Sequence, residues 1–370
     1  MRGIPIFVIG QYSIQPAQPE KWSFSSLKGF DECPRRWALA RTTIPCFGGL
    51  VPQKPNRTSV EGILLHSLIE RFALESKRDG ADMFRPRRIL LETISEWASD
   101  NVNNARIDSK ALAGQVRIEE ILRAFADLRS YVTQVSKPTG GSPPFGDTRY
   151  SPQGAEVWLR DPKSKLSGRA DSISSGEIVD FKSGEKQDQH DEQLAFYAAL
   201  YLAATGKPPA ALRLVYTATN EVRQLPVPSL EKLELSLAEM RQRAGATDEQ
   251  VSRGEFPAKP DLVRCQYCHV RALCGSYWKM LDDTAQSNGG DESSMADYRP
   301  TATARIETAA LGRYIRDSWF GSPSVVHIQN EVAKKIGNDA RRLRILALRA
   351  TINAGSVRFA FTQNTEIYVL

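Results

Sequence analysis

Gly168-Arg169-Ala170-Asp171-Ser172-Ile173-Ser174-Ser175-Gly176-Glu177-Ile178-Val179-Asp180-Phe181-Lys182-Ser183-Gly184 reads as two strands around a tight turn. If Ser175-Gly176 is a two-residue turn, Ser174 faces Glu177 and the register sets Asp171 opposite Asp180. Directly opposed residues hold their Cβ atoms about 4.5–5.5 Å apart. Two carboxylates so placed repel unless a cation lies between them. A three-residue loop would shift the register by one and part them. The strand period of two sets Lys182 on the face of Asp180 and turns Phe181 to the core. An ammonium beside two carboxylates and a divalent ion has the parts for metal-assisted phosphodiester hydrolysis. Taken alone, Asp-X-Lys on a strand is also the pattern of a solvent-facing ion pair.

Working outward, short alternating runs at Glu156–Arg160, Leu166–Ile173, Ile178–Lys182 and Leu212–Thr217 read as strands. A helix over Asp191–Ala204 separates the last two, and another covers Leu230–Arg253. Gln193 and Tyr197, four apart, share a face of the first of these. Upstream, Ser25 or Ser26 can cap a helix that carries Leu27 and Phe30 and ends near Pro34. Glu61–Leu74 is helical by its Ile63, Leu64, Leu68 and Phe72 spacing, and it carries His66, which is either a metal ligand or a core histidine. Residues 83–135 read as mostly helical, and Lys137–Ser151 as a long loop.

The 370 residues suit two or three domains, and 41% hydrophobic with 25% charged content is ordinary for a globular protein. No stretch approaches the roughly 18 apolar residues of a membrane span. The apolar run Ile4–Ile9 is too short for a secretory signal, so the expected location is the cytoplasm, with no membrane partner. Of the net +6, residues 301–370 contribute +5, from ten Lys or Arg against five Asp or Glu. A basic terminal unit on a near-neutral body suits contact with phosphates, or merely a solvated surface. Five cysteines without a signal argue against a disulfide scaffold, and three of them (Cys265, Cys268 and Cys274) crowd into ten residues. Zinc or an iron–sulfur cluster would accept such thiolates, and the spacing alone does not choose.

In order, Ser25-Ser26-Leu27 with Cys33-Pro34-Arg35-Arg36, Gly62-Ile63-Leu64-Leu65-His66, Gly168-Arg169-Ala170-Asp171, Asp180-Phe181-Lys182-Ser183-Gly184 and Gln193-Leu194-Ala195-Phe196-Tyr197 resemble RecB-like nucleases of the PD-(D/E)XK superfamily. The resemblance runs from about residue 21 to 280 and implies an α/β fold, a mixed sheet flanked by helices. It implies that His66, Asp171 and Asp180 bind Mg²⁺ or Mn²⁺, that Lys182 activates water, and that Gln193 and Tyr197 line the substrate channel. The acidic position before the lysine is often Glu in the family and here is Asp180. In iron–sulfur members, one Cys precedes a Pro-Arg-Arg-like segment and three follow the nuclease motifs. Cys33 with Cys265, Cys268 and Cys274 match those places, which implies a [4Fe–4S] staple closing a very long loop, with zinc as the alternative. Cys46 is left over.

The expected organisation is an irregular segment over 1–20, a nuclease domain over 21–284, a polar linker over 285–301 and a small β domain over 302–370. That last unit, with runs at Val325–Ile328, Leu343–Leu348 and Val357–Phe361, suits a small barrel such as an OB-fold. Val357, Phe359 and Phe361 alternate as core residues, and Arg341, Arg342, Arg344 and Arg358 are the expected phosphate contacts. The expected function is a metal-dependent DNA nuclease, most simply an exonuclease on single-stranded DNA or free ends, in repair, recombination or mobile-element defence. No phosphate-binding motor motif is present, since Gly206-Lys207 runs into Pro208, so a helicase or recombination partner would be separate. The competing readings are a non-catalytic iron–sulfur subunit that binds nucleic acid and a zinc-stapled scaffold.

Overall fold

The computed structural model describes residues 4–75, 85–134, 154–183, 186–219, 221–285, 295–298, 304–309, 312–319, 322–328, 330–336, 343–353, 356–362 and 364–370. The loop expected over Lys137–Ser151 lies outside the described residues, as does most of the expected linker.

The segment expected to be irregular holds a short strand, β1 (Ile6–Val8). Helices α1 (Phe24–Glu32) and α2 (Pro34–Leu39) follow. Ser23, rather than Ser25 or Ser26, caps α1 by accepting from the Ser26 amide. Proline restricts the residue before it to extended backbone. Cys33 accordingly breaks the chain between the two helices, and its sulfur accepts from the Arg36 amide at 3.4 Å. Helices α3 (Arg57–Glu75), α4 (Arg85–Asp100), α5 (Ser109–Ala113) and α6 (Ile118–Gln134) come next.

The central sheet is built from β2 (Gly154–Arg160), β3 (Ser167–Ser174) and β4 (Glu177–Lys182), then, after α7 (Asp188–Thr205), β5 (Ala211–Tyr216) and β6 (Glu221–Leu225). Its order is β2-β3-β4-β5-β6; only the β4–β5 pair is parallel, as the α7 crossover requires. α8 (Leu230–Ser252) returns across the sheet. Leu194, Leu200, Leu233 and Leu237 from α7 and α8, with Trp22, Phe30 and Trp37, bury one face against Ile178, Leu212 and Leu214. The other face buries Val179, Phe181 and Val215 against Leu64, Leu68, Ile89 and Phe125 of α3, α4 and α6. The mixed sheet flanked by helices is therefore as expected.

Past α9 (Leu262–Cys265) and α10 (Gly275–Ala285) lies the second unit. Met295–Tyr298, expected to be linker, is a strand (β7) that pairs with β11. β8 (Arg305–Ala309), β9 (Gly312–Trp319) and β10 (Ser322–Ile328) form a meander. After α11 (Asn330–Ile336), β11 (Leu343–Asn353) and β12 (Ser356–Ala360) form a hairpin whose second strand pairs parallel to β10. β13 (Glu366–Val369) adds to β11 and takes β1 as its parallel neighbour. The N-terminus thus completes the C-terminal sheet. Val357 and Phe359 are buried and Phe361 packs beside them, as their alternation predicts.

Candidate active site

The β3–β4 hairpin has the two-residue turn. Ser174 pairs with Glu177, Ile173 with Ile178 and Ser172 with Val179. Ser175 and Gly176 both have positive φ, 50° and 81°, which two-residue hairpins of this hand require. The paired register ends there, and Asp171 and Asp180 are the next residues along each strand. There a side chain takes over from the backbone ladder, and Asp171 Oδ2 accepts from the Phe181 amide at 2.6 Å.

A third carboxylate, which the sequence analysis did not single out, completes the row. Ala155 pairs with Ser172 and Val157 with Ala170, so Glu156 stands opposite Asp171 from the other side. Glu156 has φ 53°, a conformation that costs a side-chain-bearing residue about 1–3 kcal/mol. The cause is visible in the packing. Ala155 belongs to the core under α3 and Val157 to the core under α7, so the strand turns over at Glu156. Simple alternation cannot reveal such a reversal, and the only sequence sign of Glu156 is its acidity within a strand.

Two glycines let the helices come close. A Cβ on Gly168 would sit 2.7 Å from the Tyr197 ring, and one on Gly62 would sit 2.9 Å from Ser183 Oγ. Gly62 brings α3, and with it His66, to the end of β4. His66 Nδ1 lies 3.4 Å from Asp171 Oδ1 and 3.8 Å from Glu156 Oε1. His66, Glu156 and Asp171 offer ligand atoms within 4.8 Å of one another. Across the row, Lys182 Nζ lies 2.7 Å from Asp180 Oδ2 and donates to Gln193 Oε1 at 2.7 Å. Gln193 in turn donates to the Tyr197 hydroxyl at 2.8 Å. The predicted Gln193–Tyr197 face is thus the support of the lysine.

Three carboxylates crowd together against His66, Lys182 and Arg169, whose Nε lies 2.7 Å from Glu156 Oε2. The Asp171 charge pushes His66 up to about 10 against the effect of burial. Burial, then the Asp171 charge, pushes Asp180 up to about 7. Glu156 is also raised, by burial and by Asp171. Asp171 itself is held low: burial would raise it, but the His66 charge and the bonds from His66 and the Phe181 amide outweigh that. Asp180 Oδ2 is buried and, despite the nearby ammonium, receives no hydrogen bond of good geometry. Protons on His66 and Asp180 relieve the crowding of acids. His66, Glu156 and Asp171 are the group that could hold a divalent cation; Asp180, also expected as a ligand, is not in that group and its Oδ2 lies by Lys182.

The remaining expected residues divide. Cys33, Cys265, Cys268 and Cys274 line one pocket, together with Arg36 and Tyr277. Cys265 Sγ accepts from the Asp261 amide at 3.4 Å. Burial pushes Cys268 up to about 11, with the neighbouring Cys265 and Cys274 adding to it. Cysteine binds a metal as thiolate, so a metal held here would displace the thiol protons. All five cysteines are free, and Cys46 is not among those lining the pocket. Arg341 and Arg342 lie outside the described residues. Arg344 does not face outward for phosphate: it donates to the Ala272 carbonyl at 2.6 Å and lies over the Trp278 ring, joining the two units. Arg358 is exposed on β12.

No helix among the described residues is long and apolar enough to cross a membrane. No curated protein matches the chain in sequence. Among solved structures, the chain is similar to a protein from Eubacterium rectale described as a candidate exonuclease. The identity is 14%, the match covers 70% of this chain and 88% of that one, and the TM-score is 0.38. The family model of the PD-(D/E)XK nuclease superfamily matches residues 21–275, which hold every element of the acidic site. The chain belongs to the PD-(D/E)XK nuclease superfamily.

Proposed function

We propose that the chain is a RecB-like, Mg²⁺- or Mn²⁺-dependent DNA exonuclease that acts on single strands or free ends. The observation that carries the chemistry is the close group of His66, Glu156 and Asp171, with Asp180 and Lys182 beside it. A divalent ion bound there supplies Lewis-acid polarisation of the phosphoryl oxygen and a more acidic water. The protein's own parts do the rest. His66, Glu156 and Asp171 would hold the ion, with Asp180 as a further ligand implied by the family resemblance, and Asp171 is fixed by the Phe181 amide. Lys182 is aimed by Gln193, whose amide is held by Tyr197, so its ammonium can orient water or offset charge on the phosphate.

The four-cysteine pocket supports a [4Fe–4S] staple between Cys33 and the Cys265–Cys274 segment, with zinc as the alternative. A broad visible absorbance from anaerobically prepared protein identifies the cluster; colourless protein with bound zinc identifies the other metal. The C-terminal strand order β8-β9-β10-β12-β11, with α11 between β10 and β11, supports an OB-like unit, with Arg358 among its phosphate contacts. The role we infer is in repair, recombination or mobile-element defence, in the cytoplasm, beside a separate helicase or recombination partner.

The test is digestion of end-labelled single- and double-stranded DNA with Mg²⁺ or Mn²⁺, comparing wild type with Lys182→Ala and Asp171→Ala. Loss of cleavage in both variants is expected. Equal cleavage by all three proteins overturns the site. Equal inactivity, with DNA binding retained, favours the non-catalytic subunit instead.

A further inference from the structure

Trp158 is 39% exposed on β2, the edge strand of the central sheet, two residues along from Glu156. Its surroundings are cationic. Lys21 Nζ lies 3.8 Å from the ring centroid and Arg160 Cζ 5.9 Å from it. Arg169 stands directly opposite on β3, and its Nε lies 2.7 Å from Glu156 Oε2. Two acids close by in sequence are already engaged. Glu156 belongs to the candidate metal group, and Asp161 is buried against Arg241. A line therefore runs from the acidic row through Arg169 to an indole set among cations. Two residues of strand span about 7 Å, roughly one nucleotide from the acidic row.

From this juxtaposition we infer that Trp158 is the stacking platform for a single-stranded nucleic acid whose next phosphate enters the acidic site, with Lys21, Arg160 and Arg169 contacting its backbone. Exposed aromatics hold single strands by stacking, since every base has a π-face, while cations follow the phosphates. A duplex keeps its bases stacked on each other and cannot use the indole in this way. The inference deepens the nuclease reading and rests on it.

The experiment measures, by fluorescence anisotropy in EDTA, the binding of a labelled single-stranded oligonucleotide and of a blunt duplex. Cleavage plays no part in that signal. Trp158→Ala is expected to weaken the single strand about tenfold, and Trp158→Phe by about threefold or less. Lys21→Gln and Arg160→Gln should each lower the salt slope by about 0.7. Wild-type affinity in Trp158→Ala, or equal losses for single strand and duplex, overturns the platform. Should Trp158→Ala not fold, the double variant Lys21→Glu with Arg160→Glu takes its place, and undiminished single-strand binding again overturns it. Failure of the nuclease reading shows separately, as Lys182→Ala that cleaves like wild type.

Discussion

Two groups of buried charge, one in the acidic row and one between the units, are settled in opposite ways. Arg106 and Glu366 are each 2% exposed in their side chains and meet in a bidentate pair at 3.1 and 2.9 Å. Every further group adds to the match. Arg106 donates to the carbonyls of Pro52 and His269, and Lys54 and the Tyr368 hydroxyl turn to Glu366. This cluster clamps β13 to the segments around residues 52 and 269. The acidic row has three carboxylates, one strained backbone and an oxygen without a hydrogen bond. In a matched buried pair each charge needs the other, since removing either leaves its partner uncompensated. Carboxylates crowded against one another, with a strained backbone among them, lower stability until a ligand settles them.

The comparison can be broken at several points, from the strongest expected effect down. Asp180→Asn should lower DNA cleavage by about 10²–10⁴-fold, while raising the metal-free protein's unfolding free energy at pH 8 by about 0.5–2 kcal/mol. A loss of stability there would mean that the row is structural. Glu366→Ala should do the reverse for stability, costing about 3–5 kcal/mol in urea unfolding because Arg106 is left buried without its partner. Gly168→Ala should cost about 1–3 kcal/mol and slow cleavage, since the new methyl displaces the Tyr197 ring that holds Gln193.

The pH dependence follows from the two raised groups. Asp180 moves from 3.8 to about 7 and His66 from 6.5 to about 10 on folding. Both contributions are full below the unfolded values and are lost as pH rises through the folded ones. Metal-free stability from Asp180 should therefore fall between about pH 4 and 7, and that from His66 between about 6.5 and 10. A cation replaces those protons, so its affinity should rise roughly tenfold per pH unit for each proton displaced. Calorimetric Mn²⁺ titrations at pH 6 and 7 measure this; a flat response would exclude the row as the binding place. Smallest of all, Asp191→Ala, which removes an exposed partner of Arg223, should change the unfolding free energy by less than about 1 kcal/mol.

How much of this was legible in the chain varies by residue. The Ser175-Gly176 turn could be read because few two-residue turns match strand twist, and the pairing from Ser174–Glu177 to Ser172–Val179 followed from it, one step short of Asp171 and Asp180. Gln193 and Tyr197 followed from helical spacing, although their task of aiming Lys182 did not. Glu156 escaped because the strand turns over at that residue, and Arg344 was misread because a basic side chain looks alike whether it meets water or a neighbouring carbonyl. The irregular start was misjudged for a similar reason: three residues of β1 become a strand only because β13 offers them an edge.

By itself, the sequence determined what short-range rules determine: turn type, strand alternation, helical spacing and the residue types of the acidic site and the cysteine block. Only the tertiary structure decided which distant groups meet: Arg344 with Ala272, Arg106 with Glu366, and Glu156 with His66. The physical reason is that local preferences act through a few bonds, whereas charge balance and close packing depend on every segment that arrives at the same place.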